Sequence, residues 1–160
     1  MDTNRIIYLH GSDSNSNSGK ARLFREWFPG MLTPDFTGSF EERMAQLHTI
    51  LLDQTDWTLI GSSFGGLMGT IFTLDNTTQV RKLILLAPAL TLDPLASLTN
   101  PQPVSVPTHL IHGTADTVVL LEPVHAISQK LFTNITYHIV EDDHRLQKSV
   151  HELDWKTILA

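Results

Sequence analysis

Short apolar runs alternate along this chain with longer stretches in which apolar side chains recur at helical spacing. Residues 5–9, 31–34, 58–61, 82–87, 106–112 and 135–140 read as strands. The run 82–87 (KLILLA) is nearly continuous, the pattern of a strand covered on both faces. Residues 19–28 read as a helix opened by Ser18. Ser39-Phe40-Glu41-Glu42 is a capping box, in which the first and last side chains satisfy each other's free amides. Phe40, Met44, Leu47 and Leu51 then recur at helical spacing and give that helix one buried face. Residues 66–72 and 122–132 read as further helices, with Pro123 acceptable in a first turn. A last helix falls within 145–159, with Ser149 and Glu152 as its candidate cap and Trp155 on its core face. This alternation predicts an α/β fold: about six mostly parallel strands with helices on both faces. No internal repeat is visible, and a single domain over residues 1–160 is expected.

Composition narrows the functional classes. The chain has 11 basic and 17 acidic residues and a formal charge of -6. With no basic stripe, nucleic acid is not an expected partner. With no polybasic cluster, neither is an anionic membrane surface. Cysteine is absent, which removes a disulfide framework, a thiol nucleophile and a cysteine-type metal site. The sequence opens without a basic segment leading into a long apolar stretch, and its longest apolar run is broken by Pro88. A soluble, cytoplasmic protein without membrane insertion is expected.

The candidate chemistry centres on Gly61-Ser62-Ser63-Phe64-Gly65, a G-x-S-x-G sequence between a strand and a helix. A serine at the apex of such a turn is a nucleophile elbow. Side chains two positions to either side would collide, so both places call for glycine. Only Ser63 fits that register, since centring on Ser62 puts Ile60 and Phe64 in the crowded places.

A serine hydroxyl needs a base, and the base needs an orienting group. In such a fold the acid and then the histidine follow in loops after later strands. Strand 106–112 runs into Asp116, and strand 135–140 runs into His144. Ser63, Asp116 and His144 are therefore the candidate catalytic residues. Asp142 and Asp143 are rival acids, but a position beside the histidine reaches its own neighbour's ring poorly. The backbone N–H groups of Phe64, after the nucleophile, and Ser12, after the first strand, are the candidate oxyanion hole. His10 is expected to be partly buried and bonded to backbone. His109 and His112 share a strand and face opposite sides, while His48, His125, His138 and His151 take ordinary packing or surface roles. Gly19-Lys20 fails as a phosphate loop, because the chain has Ser14 and Ala21 where glycine and Ser or Thr are required.

On these residues the chain resembles the α/β-hydrolase superfamily over nearly its whole length. Tyr8-Leu9-His10-Gly11 before a Ser/Asn-rich loop, Lys20-Ala21, Trp27 and Gly61-Ser62-Ser63-Phe64-Gly65-Gly66 resemble the small YqiA-type (UPF0227) esterase group. The resemblance implies a three-layer α/β-hydrolase fold. It implies Ser63 as nucleophile, Asp116 as triad acid and His144 as base, hydrolysing a small-molecule ester with no cofactor. The chain departs from the superfamily in beginning at what would be the third strand. Residues 88–107 are also too short for a substantial cap, so the site is expected to be open and the substrate a short-acyl ester. Thioester or amide hydrolysis and acyl transfer would use the same triad. A non-catalytic binding module on the same fold is the reading from a different class.

Overall fold

The computed structural model describes residues 2–160. The apolar runs form one five-stranded sheet, β1 (Ile6–Leu9), β2 (Trp57–Ser62), β3 (Val80–Leu86), β4 (Thr108–Gly113) and β5 (Ile135–Val140). The strands lie side by side in chain order, and every pairing is parallel. All the strands therefore end at one edge of the sheet, and the loops that follow them converge there.

Side chains alternate across each strand, so one strand feeds two cores. Ile7, Leu9, Leu59, Leu83, Leu85 and Leu110 face α2 (Phe40–Leu51), α3 (Phe64–Asp75) and α4 (Leu121–Leu131). Ile6, Tyr8, Ile60, Ile84 and Ile111 face α1 (Gly19–Trp27), α5 (Ser149–Glu152) and α6 (Trp155–Leu159). The result is the expected three layers. Helix α2 shows how locally this is specified. The Ser39 hydroxyl accepts from the Glu42 N–H, and the Glu42 carboxylate accepts from the Ser39 N–H. Met44, Leu47 and Leu51 then lie buried, each fully buried Leu contributing roughly 1.5–3 kcal/mol. The β3–β4 connection holds a 3₁₀ turn, Leu95–Ser97, and an isolated parallel bridge from Val104 to Phe132, and no cap stands over the sheet among the described residues.

Three expectations are modified. Residues 31–34 do not form a strand. Leu32 makes a single parallel bridge to Ile7 at the outer side of β1, exchanging bonds with Tyr8 and Ile6. The next ladder donor in that register falls on Pro34, which has no N–H, so pairing stops after one residue. The last helix is broken in two. Leu153 is extended, and Asp154 opens α6 by accepting from the Thr157 N–H. Ser149 is not a cap. Lys148 holds that position in α-helical conformation, while the Ser149 hydroxyl donates to Asp142. Trp155 is buried as expected, its ring edge-on to Phe24 and its indole N–H donating to the Val150 carbonyl.

Candidate active site

Ser63 sits between β2 and α3 with φ 54° and ψ -113°, a left-handed conformation that a side chain adopts only under constraint. The constraint is visible. The Ser63 N–H donates to the Leu86 carbonyl at the end of β3, and the Ser63 carbonyl accepts from Gly66, Leu67 and Ala89. Ala87, between Leu86 and Ala89, also has a positive φ of 46°. A Cβ on Gly61 would stand 2.4 Å from the Gly65 carbonyl oxygen, and one on Gly65 would stand 2.0 Å from the Leu9 carbonyl oxygen. Both glycines are thus required by contact, as the spacing predicts.

Asp116 follows β4 and is 5% exposed. Its Oδ1 accepts from the Val118 and Val119 N–H groups at 2.9 and 2.8 Å. Its Oδ2 lies 2.7 Å from His144 Nδ1. On the other side of the ring, His144 Nε2 lies 3.1 Å from Ser63 Oγ. The three residues, far apart in sequence, form one hydrogen-bonded line at the carboxyl edge of the sheet. Imidazole N–H groups donate to carboxylates, so Nδ1 carries a proton toward Asp116 and Nε2 is left free to accept from Ser63.

The loops that carry these groups brace each other. The Asp142 carbonyl accepts from the Ala115 N–H, joining the loop of His144 to that of Asp116. Neither rival acid bonds the imidazole. Asp142 Oδ2 accepts from the Ser149 N–H and hydroxyl, and Asp143 Oδ1 accepts from the Arg145 N–H. Burial alone would raise the Asp142 carboxyl. The Ser149, Asp143 and Lys148 donors together outweigh it and hold the group below the usual carboxylate value. Lys20 lies close to the same loop. Burial, with Arg145, lowers its ammonium, partly offset by Asp142 and Asp143. Burial pushes the Tyr8 phenol, on the strand beside the elbow, up to about 12, so it stays protonated and does not compete as a base.

The loop after β1 lies against Ser63. A Cβ on Gly11 would be 3.7 Å from Ser63 Cβ. Ser12 follows it and is exposed. Phe64 is the first residue of α3, so its N–H has no acceptor within the helix. His10 is more deeply buried than expected, at 1% exposure. It is bonded to backbone as expected, with Nδ1 2.7 Å from the Gly11 carbonyl and Nε2 accepting from the Phe36 N–H.

Two residues near this centre escape the sequence reading. His112 is fully buried, with Nε2 2.8 Å from the Val119 carbonyl and 3.3 Å from Asp116 Oδ2. Alternation places it opposite His109, but nothing in the sequence says which loop folds over it. Arg43 is 8% exposed and donates to the Ser12 carbonyl. Its signal was present, since it lies three residues after Phe40 and four before Leu47, on the face whose spacing marks it as buried. Two surface depressions lie away from this centre. One is lined by Thr77, Val80 and Pro107, the other by Arg5, Asp56 and Arg81, at the strands' amino ends.

Comparison with solved structures agrees with this architecture. Alpha/beta hydrolase domain-containing protein 10 from mouse matches at 19% identity with a TM-score of 0.73, over 97% of this chain and 90% of that one. An esterase from Exiguobacterium antarcticum matches at 15% identity with a TM-score of 0.78, over 96% and 90%. A protein from Xanthomonas campestris pv. campestris assigned to the alpha/beta hydrolase superfamily matches at 25% identity with a TM-score of 0.76, over 92% and 90%. No curated protein matches the sequence. Residues 5–101, more than half of the chain, match the family described as Uncharacterised protein family (UPF0227). The chain therefore belongs to the UPF0227 family, and its fold is that of the α/β hydrolases.

Proposed function

We propose that this chain is a serine hydrolase that cleaves short-acyl carboxylic esters through a covalent acyl-enzyme. The observation that carries the reading is the unbroken line from Ser63 Oγ to His144 at 3.1 Å and from His144 to Asp116 at 2.7 Å. In the forward step His144 Nε2 takes the Ser63 proton as Oγ attacks the carbonyl carbon, and Asp116 stabilises the imidazolium that forms. The negative charge on the former carbonyl oxygen is met by the N–H groups of Phe64 and Ser12, aided by the amino end of α3. His144 then gives its proton to the departing alcohol. Water, activated by the same ring, releases the acid and restores Ser63. No cofactor enters these steps, and residues 1–160 act as one domain.

Short acyl chains are favoured because no cap encloses the site among the described residues. A long chain would bury little apolar surface there. The solved neighbours include proteins named as esterases and as a monoacylglycerol lipase, which supports carboxylic ester chemistry without fixing the substrate. The test is a panel of p-nitrophenyl esters of increasing acyl length, with matched thioesters and amides, run on wild type and Ser63→Ala. The expected result is turnover of short esters that disappears in Ser63→Ala. Equal rates for the two proteins, with both folded, overturn the proposal.

A further inference from the structure

The region behind the oxyanion site contains a feature the reaction itself does not explain. Arg43 projects from the buried face of α2, where Phe40, Met44 and Leu47 supply the apolar neighbours expected of that face. An aliphatic side chain would satisfy the packing there. Instead the position holds a guanidinium that is 8% exposed. No carboxylate is paired with it among the described residues. Burying an unpaired cation is costly, so its retention asks for a local reason.

Its contacts supply one. Nε donates to the Gly38 carbonyl at 3.1 Å, which fixes the guanidinium against the turn before its own helix. Nη2 donates to the Ser12 carbonyl at 3.3 Å. The guanidinium carbon lies 5.4 Å from the centroid of the Phe64 ring, in cation–π range. Phe64 is in turn held edge-on by Phe40, with ring centroids 5.9 Å apart. Nη1 is buried and has no partner. One side chain thus touches both residues whose N–H groups form the proposed oxyanion hole. They come from loops after different strands, and no direct bond joins them in the structure. Their separation therefore depends on what bridges them.

We propose that Arg43 is a positioning residue that sets the spacing of the Ser12 and Phe64 amides and holds an uncompensated positive charge behind the oxyanion they bind. The inference rests on the hydrolase reading above. Arg43 touches no reacting atom and acts through the two backbone donors. Nη2 holds the Ser12 carbonyl, and His10 Nδ1 holds the neighbouring Gly11 carbonyl. The exposed loop is thereby fixed at consecutive peptide units. Preorganised donors of this kind act on the transition state rather than on the bound ester. Loss of the clamp should accordingly fall on kcat.

The test compares wild type with Arg43→Met, which keeps length and packing, and Arg43→Lys, which keeps charge but cannot span the Gly38 and Ser12 carbonyls at once. Three quantities are read. They are the backbone amide resonances of Ser12 and Phe64, kcat and KM for p-nitrophenyl acetate, and affinity for an alkyl boronic acid that forms an anionic tetrahedral adduct on serine. Arg43→Met is expected to shift both amides, to lower kcat by about tenfold or more with KM nearly unchanged, and to weaken the boronate by a similar factor. Arg43→Lys should recover part of that loss. A folded Arg43→Met with unmoved amides, or with kcat kept and only KM raised, overturns the proposal. If Arg43→Met does not fold, Arg43→Lys decides. Wild-type amide positions and wild-type kcat in that variant overturn the clamp. If wild type hydrolyses no ester yet both amides move in Arg43→Met, the clamp stands and the hydrolase reading fails.

Discussion

Replacing Asp116 by asparagine changes one oxygen for one NH₂, and the surroundings dictate which one. The Oδ1 position accepts two N–H groups, from Val118 and Val119 at 2.9 and 2.8 Å. An NH₂ placed there would face two donors and leave both unpaired, at roughly 1–3 kcal/mol each. The amide oxygen must therefore stay at Oδ1, and the NH₂ takes the place of Oδ2. That place is 2.7 Å from His144 Nδ1. It is also 3.3 Å from His112 Nε2, whose proton is directed to the Val119 carbonyl 2.8 Å away. The new NH₂ can donate only to His144 Nδ1, which drives the ring proton to Nε2. Nε2 then points a proton at Ser63 Oγ and cannot accept one. With the line otherwise intact, kcat should fall by about 10⁴, equivalent to about 5 kcal/mol of transition-state stabilisation. The crowding against His112 should add a stability loss of about 1–3 kcal/mol. The assays are hydrolysis of p-nitrophenyl acetate, urea unfolding, and imidazole ¹⁵N shifts to read the His144 tautomer. Asp116→Asn that folds and keeps more than a tenth of the wild-type kcat would refute the reasoning.

Other consequences follow from packing and charge. Gly65→Ala forces a Cβ to within 2.0 Å of the Leu9 carbonyl oxygen. It should destabilise the protein by about 3 kcal/mol or prevent folding. Gly19→Ala, with nothing within 4 Å, should be neutral or slightly stabilising. Urea melts of the pair check the contrast, and equal midpoints would contradict it. Ser39→Ala removes one half of the α2 capping box and should cost about 1 kcal/mol in the same assay; an unchanged midpoint counts against that cap. His109 Nδ1 and His138 Nε2 lie 3.0 Å apart on neighbouring strands. Burial lowers both groups, and His138 and Lys82 lower His109 further. A histidine lowered in the folded state binds fewer protons there than in the unfolded chain. The pair's contribution is therefore complete above about pH 6.5 and is lost as pH falls through the lower folded values. Thermal melts from pH 7 to 5 should decline less steeply in His138→Gln than in wild type, and parallel declines would exclude the pair as a source of acid sensitivity.

Much of the candidate site was legible because its requirements are local. The glycines at 61 and 65 mark a turn whose crowding depends on residues next to one another in sequence and on the strand alongside. The order Ser63, Asp116, His144 follows from loops that must all emerge at one edge of a parallel sheet. Ser39 and Glu42 disclose their helix start from their spacing alone. The rest depended on tertiary placement. Leu32 pairs for a single residue because Pro34 cannot donate, and the apolar character of 31–34 does not report that. The last helix breaks because Asp154 caps a second start, a competition that apolar periodicity ignores. Ser149, a plausible cap by composition, instead holds Asp142 and with it the loop of His144. Arg43 owes its importance to Ser12 and Phe64, distant in sequence, and His112 to the loop after its own strand, which folds back over it. Their residue types announce charge or titration but not the partner.

The central claim is that the Ser63 hydroxyl is an activated nucleophile, and covalent capture measures it most directly. Folded protein is treated with a fluorophosphonate, its intact mass is recorded, and the adduct is mapped by peptide sequencing. The expected result is a single phosphonyl adduct on Ser63, absent in Ser63→Ala and strongly slowed in Asp116→Asn. A folded protein that stays unlabelled, or whose label lies on another residue, contradicts the account.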